Sequence, residues 1–449
     1  MYAREEILKQ EKNLKKIILN SLIEIQNQVD DAHIFIQKTY NNNITIRNGL
    51  KEYIEFNFNI FFSITVYKKN KKGTASSTDL SHKCLKKTIN SAIEISKYTE
   101  SDLNCYLPEF DILSYKVLDL DLFHPSSLDL QNKVKLAYLT EKYALNFDNK
   151  IINTEGSCFS SSDSIIAFGN TKGIIQTYKS SKYFLSACTI AQENNSLKKE
   201  RDYYYSISRK IDNLESPKYI GEKCSKRALF RLNSRKISTQ KLPVLFTAEI
   251  SSSIFSYLSH AITGEKVYQK STFLLNSLKQ SIFPQWLNIF EDPHIKGGLY
   301  SFPFDNEGIL TKPLFIVKNG ILQTWLLDSY YSRKLNLRNT GHSGGTYNWI
   351  FFQKNILSFK SLLRKMNTGI VVTSFMGDGV NLINGDFSRG VSGYFIKNGK
   401  FMYAISEITI SGNLLDMYKN IVCMSNDYDC RKKIQSGSFF ISEMVISGK

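Results

Sequence analysis

Apolar positions near the start of the chain recur with two different periods. Over residues 5–28 they return every three or four residues, as Leu14, Ile18, Leu22 and Ile25 do, which predicts an amphipathic helix. The period then shortens to two, which predicts antiparallel strands around 33–38, 44–48, 52–57 and 60–67. The basic stretch 68–73 predicts an exposed hairpin loop, and a helix ending near residue 97 completes a first unit.

A second unit repeats this order of elements. Residues 98–126 lack periodicity and contain Pro108 and Pro125, which indicates a linker. A helix is then predicted near 127–146 and another near 216–232. Between them, alternation predicts strands near 152–159, 164–168, 173–178, 182–191 and 202–209.

The last part of the chain has a different pattern. A strand near 243–250 precedes a helix over 252–263, and Asn-Gly pairs at 319–320 and 398–399 lie between alternating apolar runs, which predicts two hairpins. The predicted fold class is α+β, with two small helix-plus-antiparallel-sheet units followed by a β-rich C-terminal domain. The predicted domain boundaries are 1–100, a linker at 101–126, 127–235 and 240–449.

Composition, cysteine spacing and the length of the apolar runs exclude several classes of protein. With 449 residues, 42% hydrophobic and 13% aromatic, the chain can build sizeable cores. The seven cysteines are scattered without a C-x-x-C pair, so neither a disulfide framework nor a zinc ribbon is expected. No apolar run approaches about 18 residues and the N-terminus mixes charges early, so we expect no membrane contact and a cytoplasmic protein.

The net charge of +17 raises the question of nucleic-acid binding. Lysine is spread along the whole chain beside Asn and Ile, however, and no known nucleic-acid-binding motif is present. A solvated basic surface is the favoured interpretation, so no specific nucleic acid is expected. A DNA-binding or gyrase-modulating protein stays an alternative.

The stretch Asn339–Gly345, NTGHSGG, contains the G-x-S-x-G spacing of a serine hydrolase with Ser343 as nucleophile. A nucleophile elbow lies between a buried strand and a helix, but here a polar, basic segment precedes the Ser and a strand-like TYNWIFF follows it. No His follows Ser343, although hydrolases of that fold order the triad as Ser, acid, His. A Gly-rich loop is the favoured interpretation, and a serine hydrolase is a remote alternative.

A zinc-peptidase helix needs two His on one face with a neighbouring Glu. No His in this chain is followed by Glu, and the nearest pair in sequence, His260 and His294, is too far apart for one helix. The residues alone therefore predict no metal site.

Seven blocks of sequence, in one order over essentially the whole chain, resemble the TldD/TldE family of bacterial peptidases, and the TldE (PmbA) branch most closely. These are KKGTASSTDLS (71–81), NTEGSCF (153–159), GEKVYQKSTFLLNSL (264–278), FDNEGI (304–309), NTGHSGGTYNW (339–349), GDFSRGVSGYFIKNG (385–399) and SEITISGNLLDMYKNI (406–421).

The resemblance implies a chain without its own zinc site. In TldD a His-Glu-x-x-x-His helix and a C-terminal Cys hold zinc, and the ligand or base positions correspond here to Ser256, Tyr257, Ala261 and Ser436. A register one residue earlier runs from Phe255 to His260 and recovers one His only.

The resemblance therefore implies no catalytic residue and no cofactor in this chain. Zinc is expected in a TldD-like partner, within a heterodimer that cleaves unfolded peptides such as leader segments and an antitoxin. His342, Ser343 and His260 are the expected contacts to the cavity or the peptide, and relatives carry Ala at the Ser343 position.

Overall fold

A computed structural model describes residues 2–113, 116–194, 196–353 and 357–448. Sheets and helices are mixed along the chain and its last part is rich in strands, so the predicted α+β class is confirmed. No helix within the described ranges is long and apolar enough to cross a membrane.

The N-terminal half forms one antiparallel sheet of six strands in the order β3-β2-β1-β4-β5-β6. Its elements are α1 (Tyr2–Ile25), β1 (Asp31–Arg47), β2 (Leu50–Lys68), β3 (Lys71–Ser77), α2 (His82–Tyr98), α3 (Leu130–Leu145), β4 (Ile151–Asn170), β5 (Ile175–Gln192), β6 (Lys199–Ser208) and α4 (Pro217–Phe230). Because β1 pairs with β4, the strands of the two predicted units join in a single sheet.

The strands of this sheet are longer than the sequence predicts. The breaks expected near 39–43, 160–163 and 179–181 are continuous strand, so several predicted strand pairs are one strand each. Asn and Ser side chains fill these stretches and bond across the sheet, as Asn42 Nδ2 does in donating to Ser161 Oγ at 3.1 Å. Likewise, the predicted loop at 68–73 is a tight turn at Lys69-Asn70, whose positive φ angles reverse the chain.

Two separate helical layers cover this sheet. Near one end, α1 and α2 pack on a core that includes Ile18, Ile34 and Ile64. Near the other end, α3 and α4 cover a second core that includes Ile44 and Phe159. The apolar face of each helix is buried as its 3.6-residue period predicts.

The C-terminal half contains two further sheets. Their strand orders are β10-β9-β8-β11-β16 and β14-β13-β12-β7-β17-β15. The elements are β7 (Gln240–Phe246), α5 (Ala248–Ala261), α6 (Gly264–Tyr268), β8 (Asn288–Asp292), β9 (Leu314–Lys318), β10 (Ile321–Leu322), α7 (Ser329–Lys334), β11 (Asn348–Phe352), α8 (Phe359–Met366), β12 (Gly369–Met376), β13 (Asp386–Lys397), β14 (Lys400–Asn413), α9 (Leu414–Lys419), β15 (Ile421–Met424), β16 (Ile434–Gln435) and β17 (Phe439–Ser447).

Both predicted Asn-Gly hairpins are confirmed, since β9 pairs with β10 and β13 with β14 across those turns. Helix α5 packs between the two sheets. Its Phe255 ring lies 4.5 Å from that of Phe351 on β11 and 5.3 Å from that of Phe439 on β17. The largest core of the described chain forms around this helix.

The segment predicted as a linker packs on the C-terminal half. Arg333 on α7 donates hydrogen bonds to the carbonyl oxygens of Asn104, Tyr106 and Leu107 at 2.9 Å each. A guanidinium with several acceptors in fixed positions holds the segment firmly. The division of the chain into domains at these boundaries stays a prediction.

Candidate functional site

Helix α5 presents one face to the core and the other to an open cleft. Its Ala248 N–H donates to Ser438 Oγ at 2.9 Å, which satisfies one of the free amides of the first turn. Apolar residues at helical spacing, among them Ile254, Phe255 and Leu258, are fully buried. The polar residues between them therefore point outward, and Ser253, Ser256, Tyr257 and His260 line the cleft.

This cleft has a volume of 760 Å³ and lies between the two halves of the chain. Strand β6, at the edge of the N-terminal sheet, contributes Tyr203 and Tyr205. Strands β12 and β13 contribute Phe375 and Arg389. The opening is therefore lined by aromatic rings and charged side chains from elements far apart in sequence.

Arg389 is a cation of the cleft wall that contacts two aromatic residues. Its guanidinium donates to the Tyr257 hydroxyl at 2.6 Å and lies 4.9 Å from the centre of the Phe375 ring, a cation–π distance. The carboxylate of Asp378, 3.6 Å away, belongs to a side chain that is 89% exposed. Burial raises the pKa of Tyr257, against the opposing effect of Arg389, so this phenol stays protonated at neutral pH.

His260 faces the same cleft. Burial lowers its pKa below the ordinary value, and the positive charges of Lys433 and Lys266 lower it further. The imidazole is therefore neutral near pH 7 and can donate through one nitrogen and accept through the other.

A network of charges holds the cleft together at the start of α5. Glu249 accepts two hydrogen bonds from Arg227 at 2.9 Å and one from Arg431 at 2.6 Å. Arg231 in turn pairs with Asp202 at 2.7 Å. Burial acts to raise the pKa of Glu249, but the two arginines outweigh it and lower that pKa to about 2. Asp202, Arg227, Glu249 and Arg431 also line an adjoining cavity of 520 Å³.

The positions that the resemblance assigns to zinc ligands do not form a ligand set. Ser256 and Tyr257 face the cleft, but Ala261 is fully buried. Ser436 is buried too, and its hydroxyl lies 2.6 Å from that of Ser251, about one turn and a half before Ser256. In the alternative register Phe255 is in the core, which leaves His260 as a single imidazole.

Zinc in proteins is held by several Cys, His, Asp or Glu side chains together. Within the described ranges no three such residues are grouped closely enough to hold a metal ion. Glu249, the acidic residue of α5, is engaged by two arginines. The residues present therefore do not fit a zinc ion at this helix.

The NTGHSGG stretch is a loop between α7 and β11, so a helix precedes it and the predicted strand follows it, the reverse of the order at a nucleophile elbow. His342 is buried, with its side chain 1% exposed, and its Nε2 lies 2.5 Å from Glu291 Oε2. Its Nδ1 lies 2.9 Å from Thr340 Oγ1. Because both ring nitrogens are engaged, neither is free to take a proton from Ser343.

The structure does not bring the three predicted contact residues together. Only His260 lines the cleft beside α5. The buried side chain of His342 pairs with Glu291 and does not line this cleft, so its contact with a cavity or a peptide stays a prediction. The backbone of Ser343 is held from both sides: its N–H donates to Asp305 Oδ2 at 3.1 Å, and its carbonyl accepts from the Asn306 N–H at 2.8 Å.

Sequence reasoning missed the charged residues of the cleft. Arg389 lies in the block GDFSRGVSGYFIKNG but has no metal or nucleophile spacing to mark it. Glu249 and Arg431 are separated by most of the C-terminal half, so only the fold joins them. The sequence signal that was available is Glu249 itself, an acidic residue in the first turn of α5, where the helix dipole favours a negative charge.

Three family models match the chain in order. They describe the PmbA/TldA metallopeptidase domain 1 (residues 32–96), central domain (123–232) and C-terminal domain (239–448). A metalloprotease PmbA homolog of Buchnera aphidicola (Acyrthosiphon pisum) is 47% identical, covering 100% of both chains. Metalloprotease PmbA of Escherichia coli O157:H7 is 44% identical over 100% of this chain and 99% of its own.

A more distant relative and two solved structures are also similar to this chain. A metalloprotease TldD homolog from the same Buchnera strain is 21% identical over 66% of this chain and 65% of its own. A solved structure from Bacteroides thetaiotaomicron, named as a candidate modulator of DNA gyrase, matches with TM-score 0.90, 26% identity and 97% and 99% coverage of the two chains. TldE from Thermococcus kodakarensis shares the fold, with TM-score 0.83, 16% identity and 96% and 100% coverage.

Proposed function

The chain belongs to the PmbA/TldA metallopeptidase family, and from that premise we propose that it is the TldE (PmbA)-like subunit of a TldD–TldE complex. In this complex the TldD-like subunit holds the zinc ion and cleaves the peptide. This chain completes the enclosure of the active site and guides unfolded peptides to it, in the cytoplasm.

The donor set beside α5 is the observation that carries the proposal. One imidazole, one phenol and serine hydroxyls face the cleft where a peptidase of this family would need zinc ligands and a general base. The presence of both a PmbA homolog and a TldD homolog in one Buchnera strain supports a partnership of unlike subunits.

The cleft nevertheless suits an extended peptide. Its tyrosine and phenylalanine rings offer apolar contact, and Arg389 and His260 offer hydrogen-bond donors to main-chain carbonyls. Recognition of this kind tolerates many sequences, as cleavage of unfolded leader peptides or of an unfolded antitoxin requires.

The test is to co-express this chain with a TldD-like partner, purify both together and measure zinc and peptide cleavage. We expect zinc to stay with the partner when the subunits are separated, and cleavage of an unfolded peptide to require both. A purified preparation of this chain that contains stoichiometric zinc and cleaves peptides unaided would disprove the proposal.

The alternative of DNA binding has a direct assay. A DNA-binding role predicts an affinity that falls steeply with salt, because each neutralised phosphate releases counterions. We expect the affinity of the chain for DNA to be no greater than that of another protein with a net charge near +17.

A further inference from the structure

A second groove lies on the five-stranded sheet, and the NTGHSGG loop forms one of its walls. Its volume is 650 Å³, and Asn339, Thr340 and Gly341 line one side. Strand β9 and the residues before it line the other side, and Trp325 and Leu327 form the floor. The residues that line it are distinct from those of the cleft beside α5.

The groove is apolar within and basic at its rim. Leu278, Leu314, Phe315 and Leu337 add to the apolar lining, and Phe315 and Leu337 are 37% and 41% exposed. The charged residues that line it are all cations, namely Lys279, Lys312, Lys318 and Arg338.

Most of these cations have no acidic partner. In the described part of the chain, no salt bridge joins Lys312, Lys318 or Arg338 to an acidic residue. Lys318 lies over the Phe315 ring, 5.3 Å from its centre. Four cations around an apolar floor favour a ligand that is itself apolar and negatively charged.

One edge of β9 is open along this groove. Strand β10 pairs with Val317 and Lys318, and the Gln323 N–H donates to the Ile316 carbonyl at 2.8 Å, so on that side of β9 the open part among the described residues is limited to Leu314 and Phe315. An uncovered strand edge can take up an extended chain through main-chain hydrogen bonds, which a lipid tail cannot make. The edge therefore favours a peptide over another anionic amphiphile.

The buried His342–Glu291 pair fixes the opposite wall. His342 Nδ1 lies 2.9 Å from Thr340 Oγ1, which accepts the N–H of Leu327 at 2.7 Å. Gly341 has φ +70°, and its carbonyl accepts the Tyr347 hydroxyl at 2.6 Å. His342 thus acts as a positioning residue, which joins the loop to the floor of the groove without touching a ligand.

We propose that this groove binds an extended peptide segment whose apolar residues are flanked by Asp or Glu. The inference deepens the proposed function, on which it rests, because it names a class of unfolded substrate and a docking site away from the cleft. The apolar side chains enter the groove, one strand of the peptide pairs with β9, and the acidic residues meet the basic rim.

The test measures binding of a fluorescein-labelled peptide, with a Leu-Phe-Leu core flanked by Glu, to the full chain by fluorescence anisotropy. The matched peptide carries Gln in place of every Glu. We expect the Glu peptide to bind at least about tenfold more tightly than the Gln peptide, because each replacement of Glu by Gln removes an attraction between opposite charges.

The variants separate this groove from the general positive charge of the chain. Lys312→Glu with Arg338→Glu should weaken binding at least about tenfold, because attraction becomes repulsion. Lys83→Glu with Lys87→Glu makes the same change of charge on exposed positions of α2 and should change binding less than about twofold.

Four results would overturn the proposal. The first two are no binding of the Glu peptide and equal weakening by both pairs of substitutions. Displacement of the peptide by laurate would assign the groove to an anionic amphiphile, and self-association that Lys312→Glu with Arg338→Glu abolishes would assign it to a second copy. Because the assay uses this chain without a partner or zinc, its failure leaves the result of the co-expression test intact.

Discussion

The contribution of Glu249 and its two arginine partners to the free energy of unfolding can be predicted and measured. Glu249 lies in the first turn of α5 and joins Arg227 on α4 to Arg431 near the C-terminus. The substitution Glu249→Gln keeps the size of the side chain and one acceptor oxygen but removes the charge. It therefore weakens the link between the N-terminal half and the C-terminal half with little change in packing.

The pKa of Glu249 gives the size of the expected effect. Its side chain is 29% exposed, and its pKa is lowered from 4.5 to about 2. A decrease of this size corresponds to about 3 kcal/mol of stability in favour of the charged form. Because the folded pKa lies below the unfolded one, this contribution is fully present above about pH 5 and is lost as the pH falls toward 2.

The assay is urea unfolding of the wild type and of Glu249→Gln at pH 7 and at pH 3. The cost of the substitution should be about 3 kcal/mol at pH 7 and less than half of that at pH 3. The control is Glu443→Gln, which breaks a pair with Lys241 whose side chains are 59% and 63% exposed and should cost under about 1 kcal/mol. An equal cost of Glu249→Gln at the two pH values, or one no larger than the control, would refute the reasoning.

Three further predictions concern single residues. Gly393→Ala places a Cβ 1.8 Å from the Val371 carbonyl oxygen and should cost about 3 kcal/mol or more in thermal unfolding, whereas Gly390→Ala, at 3.3 Å from the Met376 oxygen, should cost far less. His342→Ala removes one partner of the fully buried Glu291 and should cost roughly 3 kcal/mol; a change under about 0.5 kcal/mol would contradict the pairing. Ser343→Ala should leave peptide cleavage by the complex unchanged, and a fluorophosphonate should not label the wild-type chain.

The sequence predicted the elements better than their extent. Helix α5 and the two Asn-Gly hairpins follow from periodicity and turn chemistry, which act over a few residues. Strand β4 was predicted as two strands because its Ser160–Ser164 stretch is polar. Those hydroxyls bond to neighbouring strands, as Thr39 Oγ1 and Ser164 Oγ do at 2.9 Å, and only the pairing of strands far apart in sequence reveals this.

The candidate site was predictable to the same limited degree. His260 could be placed on an outward helical face from its spacing, since α5 buries Phe255 and Leu258. The burial of His342 could not be predicted, because its partner Glu291 lies on β8 and is brought there by sheet pairing between β8 and β11. The sequence around His342 does not show which residue of the folded chain will orient its imidazole ring.

The geometry of α5 also explains how a peptidase fold can exist without zinc ligands. The helix is fixed by its buried face, where Phe255 packs against strands of both C-terminal sheets. The outward Ser256 contributes little to this packing, whereas Tyr257 packs against the core and its hydroxyl accepts a hydrogen bond from Arg389. The buried face of α5 therefore does not itself require metal ligands at the outward positions. Under the proposed function, in which a partner supplies the zinc, the helix, the cleft and the walls around it need no metal ligands of their own.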